Sequence, residues 1–544
     1  MHNAAFLYIL SIMSGKSTLH ILLIFLFCLI SYINIIPNEL VNYDDQINIL
    51  KNERITREGI INAVKLFNPT PVMRGIIPLK NSEYLPLRDI SYWIDYKLWG
   101  ENPIGYHLTN LLLYLILCIF IYLFIKMIIP ETETALFATL IYACHPIHTE
   151  SVAWASSRKD LLFALFFIVS NMCFLRYLNE NLPGKKYLFY VFSFIASILS
   201  WFSKTAAVTI PGSLMLLYLL PVKHRRISRI FFELLPFIII MLSFAYFNLF
   251  FIRGVSPSIQ SPEPGMITGL NYLRLYTTDF LFPQRLNPVR AMPEYFGIAD
   301  TTTVLSALLL GGYVYLSLKS RMYLFCISFF ILNLFPVLNA TGLGRYIVQE
   351  RYMLIPSLGL CLLLGIAADS LKPRRHIPLF IILLLSSLTL LTIRQNTFWK
   401  DSISLWKHTV SSSPAAGLAH LNLGSAYAEK GLEEGAKNEF LSVLNSSFAT
   451  QNIRAYALRN LGTLHLKKNE YESALKYFQS ALDGHPDPAE LHRIIGGLYV
   501  KLKKPEEALK HFRTTLELNP DYPDRELIEE FIKMLSSSPA AKSG

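Results

Sequence analysis

Long apolar runs, separated by short polar segments, fill the chain up to about residue 395. About twenty apolar residues are enough for a helix to cross a bilayer, so the pattern predicts transmembrane helices. The eleven runs lie roughly at 18–37, 107–128, 134–146, 160–178, 187–203, 205–220, 231–252, 300–318, 322–340, 352–370 and 377–394. The runs at 134–146 and 205–220 are short, and for one of them a re-entrant segment is the alternative.

The pattern changes at about residue 395, where charged residues become frequent and a repeat begins. Four features return 34 residues later: Leu461-Gly462 as Ile495-Gly496, Ala474 as Ala508, Phe478 as Phe512, and Pro486 as Pro520. An earlier copy contains Leu423-Gly424 and Phe440. This period and pattern predict tetratricopeptide repeats, in which small residues let paired helices approach and aromatic residues fill the space between them.

Together these patterns predict an all-α protein with two domains. Residues 1–394 form a polytopic helical membrane domain of about eleven transmembrane helices, and residues 395–544 form an α-solenoid. We place the repeats at about 415–448, 453–486 and 487–520, with a capping helix at 524–536. Such repeats present a concave surface to peptides or proteins, which fits a substrate-binding role and a general scaffold equally well.

Composition and charge support the membrane prediction. Hydrophobic residues make up 52 % of the chain and charged residues 16 %, whereas soluble proteins carry about a quarter. The net charge of +11 comes largely from short basic loops after the even-numbered runs, so we predict no nucleic-acid partner. These loops contain Lys126, Lys185, Lys186, Lys223, Arg225, Arg226, Arg229, Lys319, Arg321, Lys372, Arg374 and Arg375. The positive-inside rule then predicts a cytoplasmic N-terminus and an external repeat domain.

Ionisable residues also occur at run ends on the predicted outer side, where the charge bias does not explain them. Two adjacent acids, Asp44 and Asp45, follow the first run. The other candidate site residues are Arg88, His145, His148, Glu150, Arg158, Lys159, Lys204, Arg345 and Arg351. Three cationic positions at separate turns could bind the phosphate of an anionic lipid. For Lys204 alone, a lysine that snorkels to the interface is the alternative.

The stretch HPIHTE (145–150) invites comparison with a metal site. Pro146 interrupts the helical spacing of its two histidines, and the six cysteines have no C-x-x-C spacing. We therefore predict no metal, no cofactor and no disulfide framework. A divalent metal bound by this stretch remains the alternative.

Four blocks of the chain resemble a known family. They are PLRDISYWIDYKLWGENPIGYHLTNLLLYLI (86–116), HPIHTESVAWASSRKDLLFALFF (145–167), SKTAAVTIP (203–211) and RYIVQERYMLIPSLGL (345–360). They are similar to blocks of the transmembrane and tetratricopeptide repeat-containing proteins and their bacterial relatives, in the same domain order. One departure is QERY (349–352), where the family usually has aspartate, arginine and tyrosine.

The resemblance implies a glycosyltransferase of the GT-C membrane fold. Eukaryotic members are protein O-mannosyltransferases that move mannose from a dolichyl-phosphate donor to Ser or Thr. For this chain it implies a polyprenyl-phosphate-linked sugar donor and an acceptor protein or glycan bound through the repeats. It also implies a bacterial inner membrane with a periplasmic repeat domain, or an endoplasmic reticulum membrane with a lumenal one if the source is eukaryotic.

The resemblance also suggests roles for residues. Asp44 or Asp45 would be the general base for the acceptor hydroxyl, and the cations Arg158, Lys159, Lys204 and Arg351 would stabilise the leaving phosphate. Two alternatives belong to other classes of protein. One is a membrane-anchored scaffold without catalysis, and the other is a transporter of lipid-linked sugars.

Overall fold

The structure of the chain is a computed structural model. It describes residues 15–56, 84–221, 227–248, 265–291, 296–297, 299–338, 348–370 and 377–537. These residues form helices and turns without any β-strand, which confirms the all-α fold class. The chain divides into a membrane unit (Met1–Pro288 and Glu294–Ser404) and a repeat unit (Val289–Pro293 and Leu405–Gly544).

The membrane unit is built from helices joined by short turns. Its α-helices are α1 (Gly15–Tyr32), α2 (Glu53–Thr56), α3 (Pro86–Trp99), α4 (Pro103–Ile128), α5 (Thr132–Cys144), α6 (Thr149–Ala153), α7 (Arg158–Asn179), α8 (Pro183–Ser203), α9 (Ile210–Leu216), α10 (Ile227–Phe247), α11 (Met266–Leu281), α12 (Thr301–Ser317), α13 (Arg321–Leu334), α14 (Ser357–Ser370), α15 (Ile377–Phe398) and α16 (Ser402–Ser412), of which the last extends into the repeat unit. Proline at the first position of α3, α4 and α8 suits a helix start, because its missing N–H has no helical partner there.

Six helical segments of the described residues are long and apolar enough to cross a membrane. They are Gly15–Ile35, Pro103–Ile128, Ala155–Asn179, Pro183–Ser203, Arg229–Phe247 and Leu379–Phe398. Five shorter apolar helices are Thr132–Cys144, Thr205–Leu219, Thr301–Ser317, Arg321–Val337 and Ser357–Ser370. Each of the eleven apolar runs thus contains an apolar helix, while the number that crosses the membrane stays a prediction.

Two glycines of α14 let it pack closely against its neighbours. A Cβ on Gly359 would lie 2.4 Å from the carbonyl oxygen of Cys326 in α13, and one on Gly365 would lie 3.0 Å from the Cβ of Ala138 in α5. Small residues at such contacts allow apolar helices to approach. α14 begins shortly after the 3-10 turn Glu350–Met353, so its packing limits where the end of that turn can lie.

The repeat unit consists of helix pairs. They are α17 (Gly417–Glu429) with α18 (Glu433–Asn445), α19 (Gln451–Lys467) with α20 (Tyr471–Ala481), and α21 (Pro488–Lys501) with α22 (Pro505–Leu518), followed by α23 (Arg525–Ser537). In every pair the first helix places a glycine against a phenylalanine of the second: Gly424 against Phe440, Gly462 against Phe478 and Gly496 against Phe512. All three phenylalanines are buried.

Candidate functional site

The two acids after α1 have different environments. Asp45 is buried, and its carboxylate accepts the backbone N–H of Val41 at 2.9 Å and that of Ser156 at 2.8 Å. Burial raises the pKa of Asp45 to about 7, although these hydrogen bonds oppose the shift. Asp44 is exposed and has a positive φ of 73°, a conformation that Asp tolerates better than most residues. Asp45 therefore fixes the turn, while Asp44 is accessible to solvent.

Tyr43 links this turn to two other segments. Its ring stacks on the indole of Trp154, with the centroids 4.5 Å apart. The side-chain amide of Gln349 donates a hydrogen bond of 2.6 Å to the Tyr43 hydroxyl. Thus the chain positions 43, 154 and 349, which are far apart in sequence, meet beside Asp44.

Glu150 and Arg351 form a buried ion pair next to this stack. Glu150 Oε1 lies 2.5 Å from Arg351 Nη1, and Oε2 accepts the backbone N–H of Arg351 at 2.9 Å. Burial raises the pKa of Glu150, and the charge of Arg351 opposes that shift. The guanidinium carbon lies 4.9 Å from the Trp154 ring centroid, within the range of a cation–π contact. Glu150 and Trp154 together determine where the Arg351 charge lies.

Lys204 is held in a similar way. It follows the last residue of α8, and its ammonium group pairs with Asp160 in the first turn of α7. Asp160 also accepts a hydrogen bond of 3.0 Å from the Ser157 hydroxyl. The Lys204 nitrogen lies 4.8 Å from the centroid of the Tyr352 ring, and the Arg351 guanidinium carbon lies 5.2 Å from the same centroid. The Tyr352 ring therefore lies close to both cations, the Lys204 ammonium and the Arg351 guanidinium.

Arg158 takes a different position. Its side chain is completely buried and donates to Asp95 at 2.7 Å, to the carbonyl oxygen of Tyr106 at 3.0 Å, and to the side-chain oxygen of Asn110. Its guanidinium also lies 5.2 Å from the Tyr92 ring centroid. These contacts tie the start of α7 to α3 and α4, so the geometry describes a packing role.

His145 and His148 both form hydrogen bonds to other groups of the protein through their two ring nitrogens. His145 accepts the N–H of Ile147 at its Nδ1 and pairs through Nε2 with the carbonyl oxygen of Phe280 at 2.9 Å. His148 Nε2 lies 2.9 Å from the Ser357 hydroxyl, and its Nδ1 lies 2.9 Å from the Tyr114 hydroxyl. Both rings thus join this segment to neighbouring helices.

No cluster of three metal-ligating side chains is found among the residues that the structure describes. Arg88 lies in α3, where it is buried and pairs with its neighbour Asp89 at 2.7 Å. Lys159 is half-buried beside Asp160. Arg345 lies outside the described residues, so its role as a site residue stays a prediction.

Sequence reasoning did not single out three aromatic residues of this site, Tyr43, Trp154 and Tyr352. Their signal was their position: each directly precedes or follows a candidate residue or stands within the HPIHTESVAW block. Asp160, the partner of Lys204, was not chosen as a site residue either, although it lies within the block at 145–167. We define the cation site as Glu150, Trp154, Asp160, Lys204, Arg351 and Tyr352.

Comparison with known proteins extends this description. The family model for the tetratricopeptide repeat matches residues 459–523. A Caenorhabditis elegans protein O-mannosyl-transferase is 24% identical over 78% of this chain and 62% of its own length. Human protein O-mannosyl-transferase TMTC4 is 24% identical over 65% of this chain and 57% of its own length. Drosophila melanogaster protein O-mannosyl-transferase Tmtc3 is 23% identical over 86% of this chain and 59% of its own length.

The chain is a homologue of proteins named protein O-mannosyl-transferases. This confirms the predicted relationship. The chain spans about three fifths of the length of these relatives. Because the coverage of 86% exceeds the share of the chain in either unit, that similarity includes parts of both the apolar helices and the repeats.

Proposed function

We propose that the protein is an integral membrane glycosyltransferase. It moves a hexose, by analogy with its relatives a mannose, from a polyprenyl-phosphate-linked donor to a hydroxyl of an exported protein or glycan. The observation that carries this proposal is the pair of cations on one ring: Lys204 and Arg351 both lie against Tyr352. Two cations held in fixed positions at the end of apolar helices suit a lipid-linked phosphate.

The acidic partners of the two cations favour the binding of a lipid-linked phosphate. Asp160 and Glu150 are buried and hold Lys204 and Arg351 in place, so little reorganisation is needed when charge develops on a leaving phosphate. Arg351 Nε is buried and makes no hydrogen bond to any described residue. Such a donor is costly to leave unpaired, and a phosphate oxygen would satisfy it.

Asp44 is the better candidate for the general base. Both oxygens of Asp45 already accept backbone N–H groups, whereas Asp44 is exposed beside the Tyr43–Trp154 stack. In the proposed step the acceptor oxygen bonds to the anomeric carbon as the bond from that carbon to the phosphate oxygen breaks. The hydroxyl proton passes to Asp44, and the electron pair leaves with the polyprenyl phosphate.

The location of the site fits a donor that is anchored in the bilayer. Asp160 and Lys204 lie at the ends of two candidate membrane spans, Ala155–Asn179 and Pro183–Ser203. A polyprenyl chain would extend along the apolar helices while its phosphate and sugar reach this end. The repeats would bind the acceptor polypeptide outside the cytoplasm, in the periplasm of a bacterium or in the lumen of the endoplasmic reticulum.

The test uses purified full-length protein, a polyprenyl-phosphate-mannose donor and a Ser/Thr-containing peptide acceptor. Asp44→Asn removes the basic group and should lower transfer by at least about 100-fold. Glu101→Gln is the matched control, because Glu101 is an exposed acid in the turn between α3 and α4. Equal transfer by the Asp44→Asn and wild-type proteins would overturn the role of Asp44. Absence of transfer from any polyprenyl-phosphate sugar would favour the scaffold function.

A further inference from the structure

A second polar cluster surrounds Glu233, near the start of α10. Its carboxylate accepts the Tyr177 hydroxyl at 2.7 Å, the Tyr218 hydroxyl at 2.5 Å and the Nε–H of Arg229 at 3.0 Å. The Tyr190 hydroxyl donates to the backbone carbonyl oxygen of Glu233 at 2.8 Å. Four donors thus converge on one residue that is only 8% exposed.

This cluster lies at the opposite ends of the helices that carry the cation site. Asp160 is in the first turn of α7, whereas Tyr177 is in its last turn. Their separation of 17 positions in the sequence corresponds to about 25 Å along the helix axis. Similarly, Lys204 follows the end of α8, whereas Lys186 is in its first turn. The Glu233 cluster therefore lies at the opposite ends of α7 and α8 from the cation site and is separate from the proposed transfer reaction.

A cavity of about 420 Å³ opens beside this cluster. It is lined by Tyr177, Tyr187, Tyr190, Arg229, Phe232 and Glu233. The Arg229 side chain is 58% exposed although its Nε is paired, and its two terminal nitrogens carry further N–H donors. The ammonium of Lys186 lies 5.2 Å from the centroid of the Tyr177 ring. Among the residues that line the cavity, Arg229 and Glu233 carry opposite charges, and Lys186 places a further cation beside the Tyr177 ring.

The surroundings of the cavity match the boundary of a bilayer. Exposed apolar residues flank it on α8 and α10: Tyr187 at 63%, Leu188 at 50%, Phe231 at 56% and Phe232 at 68%. Aromatic residues next to basic ones are typical of the level of lipid headgroups. Basic pockets between membrane helices bind the headgroups of anionic lipids.

We propose that this cavity binds the headgroup of an anionic phospholipid. The phosphate contacts Arg229 and Lys186, and the acyl chains lie along the exposed apolar surface of Leu188, Phe231 and Phe232. Glu233 does not contact the lipid, since its oxygens are occupied by Tyr177, Tyr218 and Arg229. Its role is to hold Arg229 at the cavity.

The test measures how much phosphatidylglycerol the purified full-length protein retains from mixed micelles, by native mass spectrometry. We expect preference for phosphatidylglycerol over phosphatidylcholine, and Arg229→Gln should weaken retention about fivefold. Arg229→Lys keeps the charge and should retain more than Arg229→Gln. Lys185→Gln is the matched control, since Lys185 is exposed next to Lys186 in the same helix turn.

Three outcomes would overturn the proposal. The first is equal retention of the two lipids, because the site would then not distinguish an anionic headgroup from a zwitterionic one. The second is a loss in Lys185→Gln as large as that in Arg229→Gln, which would indicate general surface charge. The third is full displacement of the lipid by glycerol 3-phosphate at millimolar concentration, which would assign the cavity to a soluble phosphate.

Discussion

The carboxylate of Asp45 accepts the backbone N–H of Ser156 at 2.8 Å. This contact joins the turn after α1 to the short helical turn that precedes α7. It explains why an acid follows the first membrane helix without requiring that this acid take part in catalysis. Its neighbour Asp44 is left exposed at the same turn, so one acid positions the other.

The first prediction concerns the pH dependence of stability at Asp45. Its pKa is about 7 in the folded protein against an ordinary value of 3.8. Because the folded pKa is raised, the stabilising contribution is complete below 3.8 and is lost as the pH rises to about 7. The full loss is on the order of 4 kcal/mol. In Asp45→Asn this dependence disappears. The unfolding free energy of the wild type minus that of the variant should therefore fall between pH 5 and pH 8.

Thermal unfolding of the full-length protein in detergent, at several pH values, measures this effect. Glu101→Gln controls for a change of surface charge at the same end of the bundle. If the unfolding free energy of the wild type minus that of the variant rises with pH, the folded state favours the ionised form of Asp45. The raised pKa of Asp45 would then be wrong.

The second prediction concerns Lys204 as a phosphate-binding residue. Lys204→Gln removes one charge-assisted contact, so the KM for the polyprenyl-phosphate donor should rise by roughly tenfold or more. The KM for the acceptor peptide should change little. Lys97→Gln is the control, because Lys97 is an exposed lysine near the end of α3. An unchanged donor KM, with lower kcat alone, would argue against binding of the ground-state phosphate.

Periodicity predicted the helices and the repeat contacts because both depend on local spacing. The 34-residue repeat placed Gly496 and Phe512 at equivalent positions, and the structure brings them together. The partners of the buried charges did not follow from the sequence. Arg158 pairs with Asp95 across 63 residues, and Arg351 pairs with Glu150 across 201. Such pairs depend on which helix ends meet in space, and no local pattern records that.

The third prediction separates Arg158 from the other cations. Its side chain is buried and bound by Asp95 and Asn110, so Arg158→Met leaves an unpaired carboxylate. We expect a loss of about 3–5 kcal/mol in stability, seen as a lower unfolding temperature and lower yield. The double variant Arg158→Met/Asp95→Leu should recover part of this loss. Normal stability of Arg158→Met with loss of transfer would instead indicate direct action on the substrate.

The fourth prediction concerns independent folding of the repeats. Clusters of buried apolar residues run through the helix pairs, with Phe440, Phe478 and Phe512 among their members. A soluble fragment of residues 398–536 should be helical by circular dichroism and should unfold cooperatively. A fragment without helical signal would show that the membrane unit is needed to complete the fold.

The last prediction uses two adjacent glycines of α21 as a matched pair. A Cβ on Gly496 would lie 2.9 Å from the Phe512 ring, whereas one on Gly497 would meet nothing within 4 Å. Gly496→Ala should therefore destabilise the repeat fragment by about 1–3 kcal/mol, since the buried ring must shift. Gly497→Ala should stabilise it by up to about 1 kcal/mol, because alanine favours the helix. Chemical denaturation of the two variants measures both values, and an equal effect of the two substitutions would mean that Phe512 does not pack against Gly496.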